Sequence, residues 1–470
     1  MSDAVQPRAN VSILAAIRDG IRGTTEDLTT GPLERAVVLL AVPMVIEMLM
    51  ESLFAVVDVF FVSRLGADAI ATIGLTESLL TIIYTLAMGL SIGATAVVAR
   101  RIGEGDADGA AVAAVQALLI GLAVAVAIGG AGSLFAPQLL TLMGADAGVL
   151  RIGTGYARVM LAGEASFILI FLLNAAFRGA GDAQVAMRAL ILANSINIVL
   201  DPCLIFGLGP FPELGVTGAA VATTTGRFSG VAYLLWSLLR EGGRLTVRRR
   251  HLRLDVQAMR GMLQLAASGT FQYFVSTASW IGLTRILASF GGHVVAGYTV
   301  AIRVVLFALL PSWGLANAGA TLVGQSLGAG DPERARAAVG LAGRYNMYFL
   351  GVVAVGFVIL AEPLVSVFSR DPLVLKTGVH ALRLIAAGFP FYAWGMVFTS
   401  AFNGAGDTRT PTLCNLLCFW AWELPLAWGL SRVPGIGPDG VFAAVAIAFS
   451  TLAVLSGYLF RRGNWATQQV

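Results

Sequence analysis

Three carboxylates, Glu47, Glu51 and Asp58, stand in one long apolar run that begins near Leu33. At ~100° per residue, Glu51 lies ~40° from Glu47 and Asp58 ~20° behind Glu51, so the three share a narrow helical face. No lysine or arginine stands between them on that run. Acids placed this way suit proton carriage, and their oxygens equally suit a small hard cation. A second set follows in Asn194, Asn197 and Asp201. Asn197 and Asp201 are one helical turn apart and face the same way, with Pro202 interrupting the backbone ladder just after. Set against Asp58, this pair makes a proton or Na⁺ site, with Asp58, Asn197 and Asp201 as ligands if the ion is Na⁺. A blander reading makes Asp201 the cap of an interfacial break and puts Asp58 among the outer headgroups. Glu77, Glu164 and Glu423 read as acids that hydrogen-bond across helices.

The elements that must hold these residues are membrane helices. Of 470 residues, 57% are apolar and only 12% charged, about half the charge of an ordinary globular domain. The mean hydropathy is +0.81. Backbone groups in lipid must be satisfied internally, and the apolar runs far exceed a barrel strand of ~10 residues. With ~20 residues as the unit, twelve spans are expected near 33–60, 68–99, 110–133, 149–178, 183–208, 216–239, 259–288, 294–326, 335–360, 374–403, 408–430 and 438–460. Several are long enough to require tilt or a kink. Arginines cluster at 100–101, 178–188, 240–260, 334–344 and 461–462. The positive-inside rule then puts both termini and the 240–258 loop in the cytoplasm. The stretch 1–32 is polar and reads as a cytosolic tail, as does 461–470. Cys203, Cys414 and Cys418 form neither a disulfide framework nor a zinc spacing.

The chain repeats itself. GlyGluGlyAsp ending at Asp106 returns as GlyAlaGlyAsp ending at Asp331, and PheArgGlyAlaGlyAsp ending at Asp182 returns as PheAsnGlyAlaGlyAsp ending at Asp407. Both shifts are 225 residues, and the same shift lays Gly66 on Gly291 and Gly89 on Gly314. The chain therefore divides into an N-lobe (33–239), a basic inter-lobe loop (240–258) and a C-lobe (259–460). Six spans per unit make the copies parallel, an arrangement that places a substrate path between two rocking lobes. The Gly-rich turns match no phosphate loop, and their aspartates read as helix caps.

The copies differ in chemistry. At a shift of 225, Glu47 becomes Gln272, Glu51 becomes Ser276, Asp58 becomes Leu283 and Asp201 becomes Leu426. The second copy instead carries Trp280, Trp313, Trp394, Trp420, Trp422 and Trp428. This suggests a cation site in the first lobe and aromatic faces for an apolar or cationic substrate in the second. Glu47, Gln272, Trp280, Trp313 and Trp394 are the cavity candidates.

AspLeuThrThrGlyProLeu from Asp27, AspValPhePheValSerArgLeuGly from Asp58 and GlyLeuSerIleGlyAlaThr from Gly89 resemble the multidrug and toxic compound extrusion (MATE) family. So do AsnIleValLeuAspPro at 197–202 and GlyLeuAlaAsnAlaGlyAlaThr from Gly314. The resemblance runs over roughly 27–460. It implies an all-α polytopic protein of twelve transmembrane helices in two parallel, pseudo-symmetric six-helix lobes. It further implies a plasma-membrane antiporter, in the bacterial inner membrane, that exports small organic molecules against inward H⁺ or Na⁺ and needs no cofactor. Family positions put the cation site on Asp58, Asn197 and Asp201, with Thr223 joining from helix six and Glu51 standing where a neutral amide is expected. Gln272 stands where one branch has a glutamate, so the chain resembles the DinF-like branch. The expected partners are small-molecule substrates and the lipid bilayer, with no nucleic acid, and the expected state is a monomer. A flippase of lipid-linked substrates is the alternative. It calls for a basic cavity, for which Arg285 and Arg303 are the span residues to consider. No intramembrane His pair or Ser-Lys dyad points to an enzyme.

Overall fold

The computed structural model describes residues 12–24 and 26–468. The side chains of Ala55, Val56, Asp58, Val59, Ser63 and Ala67 lie outside the described set, so Asp58 is placed only by its backbone. A short helix, α1 (Ile13–Arg22), precedes the spans. The first six are α2 (Leu33–Val62), α3 (Ala67–Gly103), α4 (Ala107–Leu134), the pair α6 and α7 (Ala147–Ala162, Glu164–Ala180), α8 (Ala183–Phe206) and α9 (Val216–Leu239), with a short α5 (Ala136–Leu142) before the pair. The second six are α10 (Val256–Leu287), α11 (Gly292–Gly328), α12 (Pro332–Ser366), the pair α13 and α14 (Pro372–Ala386, Phe389–Gly404), a composite span and α17 (Asp439–Arg462). The composite runs α15 (Arg409–Asn415), a π-helical stretch (Leu416–Glu423) and α16 (Leu424–Ser431).

Of the described residues, nine stretches are long and apolar enough to cross a bilayer unaided, and α13 with α14 make a tenth across a 57° bend. The more polar α9 and α10 complete the twelve spans expected from the sequence. The fourth and tenth spans break at equivalent places: Gly163 precedes α7 and Gly388 precedes α14, a shift of 225. The turns repeat as well. Asp106 and Asp331 accept hydrogen bonds from Gly109 N and Arg334 N and cap α4 and α12, as their composition implied. Asp407 likewise accepts from Thr410 N. Asp182 departs from the pattern, for its carboxylate accepts from Arg244 N of the inter-lobe loop instead.

One hydrophobic core is built mainly from α3 to α9 and a second from the later part of α10 through α17. The first helix of each copy crosses to the other: α2 packs on α8 and α11, and α10 on α15 and α3. At the end that carries the Asp106 and Asp331 turns, α3 and α11 touch backbone to backbone. A Cβ on Gly103 would collide with the Gln325 carbonyl, and one on Gly328 with the Arg100 carbonyl. These two collisions are images of each other under the 225 shift.

The shift does not stay at 225. Asn194 donates from Nδ2 to Met50 O, and Trp420 donates from Nε1 to Val275 O, both at 2.8 Å. Met50 and Val275 differ by 225, but Asn194 and Trp420 differ by 226. Farther on, Gly218 abuts Leu204 O while Gly440 abuts Leu430 O, and Leu204 and Leu430 again differ by 226. The π-helical stretch absorbs the extra residue. The alignment of Asp201 with Leu426 is therefore corrected: Asp201 corresponds to Ala427 and Asn197 to Glu423.

The segment before α2 is a fastened strap, not a loose tail. Arg188 donates to Ile21 O and Arg22 O, Arg244 to Thr24 O and Glu26 O, and Arg334 to Leu28 O, Thr30 O and Gly31 O. Arg35 pairs with Asp19 and Glu26, each at 2.7 Å. Below the membrane-spanning part, burial pushes the Asp182 carboxyl above its ordinary range despite Arg244 nearby.

Candidate functional site in the first lobe

Asn197 and Asp201, which sequence spacing joined, do meet, and Thr223, which the resemblance added, stands with them; the Asp58 side chain lies outside the described residues. Asn197 and Asp201 on α8 and Thr223 on α9 are all buried, at 0%, 0% and 1% exposure. Asn197 donates from Nδ2 to Asp201 Oδ1 at 3.2 Å and stands 3.3 Å from Thr223 Oγ1. The close packing of α8 on α9 that allows this rests on Gly226, which abuts Ala193 O and the Asn197 side chain. A carboxylate, an amide and a hydroxyl thus converge where the backbone ladder of α8 is interrupted by Pro202. Such a set of oxygens can hold a proton or a small hard cation.

Beside it lies a cation that the sequence reading missed. Arg227 of α9 is held between two rings, its guanidinium carbon 5.1 Å from the Phe54 centroid and 5.0 Å from that of Phe167. Tyr84 packs on Phe167 with centroids 4.2 Å apart. Arg227 is within electrostatic reach of Tyr84, Glu164 and Glu51. Glu51 is half-buried and Glu164 is 1% exposed, with neither carboxyl oxygen of Glu164 hydrogen-bonded. Glu164 is the first residue of α7, at the break in the fourth span, where the helix dipole favours negative charge. Arg227 follows Thr223 by one turn, and that spacing was the available signal. Arg285 and Arg303, the basic residues the sequence suggested for a cavity, are exposed and are not among the walls of the cavity between the lobes.

Glu47 does not line the cavity as expected. It is 1% exposed and accepts from Arg178 Nη1 at 2.6 Å, a buried ion pair between α2 and α7. Arg178 itself reaches a cavity of about 70 Å³ between the lobes, with Ser91, Thr95, Tyr273, Asn317 and Asn403 among its walls. Thr321 donates to Arg178 O and Gln325 to Gly179 O, so α11 is bonded to the end of α7 there.

Of the second-lobe aromatics, Trp394 lines an open cavity of about 470 Å³ with Leu33, Glu34 and Arg344. Trp280, Trp313 and Trp394 are half-buried, and none lines the cavity between the lobes. Trp394 donates to Met347 Sδ and stacks on Phe398, filling the α12–α14 contact. Gln272 of α10 is 5% exposed, while its neighbour Tyr273 supplies the cavity wall. Trp422 and Trp428 are exposed at 48% and 53%. Among the described residues no cluster of three or more His, Cys, Asp or Glu is placed to hold a metal.

The family model MatE matches residues 43–203 and 270–428, once per repeat. The chain is 28% identical over 442 residues to a protein of Shewanella oneidensis described as an FAD transporter, covering 93% of this chain and 96% of that one. It is 24% identical to the probable multidrug resistance protein NorM of Thermotoga maritima, covering 93% and 94%. Among solved structures, an outward-facing multidrug resistance MATE transporter of the MOP superfamily superposes with a TM-score of 0.87 at 26% identity, over 94% of this chain and 99% of that one. A MATE protein in the bent conformation gives 0.85 at 26%, over 95% and 97%. Two matched repeats, twelve spans in two lobes and full-length likeness to transporters have one explanation: this chain belongs to the MATE family of multidrug efflux transporters, and is a multi-pass membrane transporter, not an enzyme.

Proposed function

We propose that the chain is a secondary antiporter that exports small organic molecules in exchange for inward H⁺ or Na⁺, with its cation site in the first lobe. The observation that carries this reading is the buried meeting of Asn197, Asp201 and Thr223. A charged group there is costly unless it binds a counter-ion or proton. Asp58 lies on α2 seven residues beyond Glu51 and completes the set by its helical position. Glu51 joins through Arg227, which neutralises part of its charge. Ion uptake at Asp201 and Asp58 changes the interactions between α8, α9 and α2, and alternating access follows if the two states bind the ion with different affinity. In this reading the N-lobe spans 33–239, the loop 240–258 is cytoplasmic, the C-lobe spans 259–460, and both termini face the cytoplasm of a bacterial inner membrane. The protein works as a monomer and without a cofactor.

Arg227 favours one refinement of substrate class. A guanidinium resting on Phe54 and Phe167 and flanked by Tyr84 suits an aromatic molecule that bears an acidic group, in line with the FAD transporter of Shewanella oneidensis. The flippase alternative needs a basic path between the lobes, and Arg178 is the basic wall residue of that cavity.

The test is ethidium efflux from proteoliposomes under separately imposed pH and Na⁺ gradients. Asp201→Asn and Asp58→Asn should insert normally and lose efflux under whichever gradient drives the wild type. Undiminished efflux by both variants would refute the site, and no transport under either gradient would favour the flippase.

A further inference from the structure

The register change in the second copy brings Glu423 to the place that Asn197 holds in the first. Two independent pairs fix this: the side-chain donors Asn194 and Trp420 to equivalent carbonyls, and the close contacts at Leu204 and Leu430. Glu423 closes the π-helical stretch, a distortion that recurs at functional sites. It is 2% exposed, and its Oε2 makes no hydrogen bond.

Its surroundings are aromatic and hydroxylic. Tyr298 of α11 and Tyr392 of α14 lie within electrostatic reach of the carboxyl, as does Cys418 on its own turn. Tyr273 of α10 lies within electrostatic reach of Tyr392 and lines the cavity between the lobes. The α17 side is closed by Phe442, stacked on Tyr298, and Phe449, stacked on Tyr392 at 4.0 Å. None of the groups named carries a fixed positive charge. An ionised carboxylate so enclosed has no counter-ion among the groups named, whereas the neutral acid has no such cost.

We propose that Glu423 is a second proton-binding carboxyl, in the C-lobe, standing at the symmetry position of Asn197 and communicating with the central cavity through Tyr392 and Tyr273. The proposal rests on the ion-coupled reading of the chain but locates a site in the other lobe. Protons would be held at Glu423 Oε2 and exchanged by way of the two phenols.

The test follows the carboxyl C=O stretch of protonated acids by infrared difference spectroscopy on the purified full chain through a pH titration. Glu423→Gln should remove one titrating carboxyl, and Asp201→Asn a separate one, with additive loss in the double variant. Glu423→Asp keeps the acid one methylene shorter, so the band should shift and not vanish. A titration unchanged from wild type in both Glu423 variants overturns the proposal. Ethidium efflux under a pH gradient separates the two readings. Loss of the Glu423 component with efflux unaffected in both Asp201→Asn and Glu423→Gln supports a proton site at Glu423 and refutes the coupling role of Asp201. An intact Glu423 titration with efflux abolished by Asp201→Asn does the reverse.

Discussion

Replacing Gly103 by alanine should open the protein at the end where α3 and α11 meet. The added Cβ would overlap the Gln325 carbonyl, a backbone atom that cannot rotate away. Relief therefore requires the helices to separate. Overpacking of this kind costs about 1–3 kcal/mol, charged only to the arrangement in which α3 and α11 touch. The ratio of touching to separated lobes should then fall about 5- to 150-fold. Gly328→Ala, which meets the Arg100 carbonyl, should act alike. Because one separation relieves both clashes, the double variant should fall short of the sum of the singles. The readout is the distance between spin labels on Glu104→Cys and Ala329→Cys, both exposed beside the contact, with Cys203, Cys414 and Cys418 replaced by serine. Gly74→Ala is the control, since a Cβ there meets nothing within 4 Å on the same helix. Distance distributions for Gly103→Ala that match the Gly74→Ala control would refute the reasoning.

Other predictions follow from single contacts. Arg227→Gln strips Glu51 and Glu164 of the positive charge near them and should lower stability. Thermal unfolding in detergent should show this, and Glu164→Gln in the same chain should restore part of it. Trp420→Phe deletes the bond to Val275 O and should cost about 1 kcal/mol. Trp420→Asn tests the register, since it restores the first copy's donor and should recover more stability than Trp420→Ala in the same unfolding assay. The strap should loosen in acid. The hydrogen bond from Arg35 holds Asp19 and Glu26 below their ordinary carboxylate range, so their contribution is present above ~4 and is lost as pH falls toward the depressed folded values. Hydrogen exchange of residues 13–22 should rise over that window, and Arg35→Gln should abolish the dependence.

Much of the frame was legible because lipid leaves few choices: spans, Gly-Asp turns and the shift of 225 all follow from short patterns. Asn197 and Asp201 were legible because they share a helix, where spacing alone sets the face. The ring of groups around Arg227 was not, because Glu51, Tyr84, Glu164 and Arg227 come from four helices and their meeting depends on packing. Glu47 was misassigned for the same reason: its helical face was read correctly, but Arg178 arrives from 131 residues away. The change from 225 to 226 was hidden because Leu, Trp and Phe around 416–422 read equally well in either register, and a hydrogen bond to a backbone carbonyl was needed to decide between them.

The π-helical stretch has a consequence for how the two halves came to differ. Adding one residue to a straight α-helix turns everything downstream by ~100°, which would usually ruin an entire span. Here the wider coil takes up that rotation within two turns, and Leu430 still meets Gly440 as Leu204 meets Gly218. A single inserted codon in a duplicated gene is thus accommodated with the scaffold intact, and the residues downstream keep their places under a shift of 226. Deleting that codon, upstream of Trp420, is the corresponding backward step: it would restore the shift of 225 and leave the same glutamate opposite Asn197.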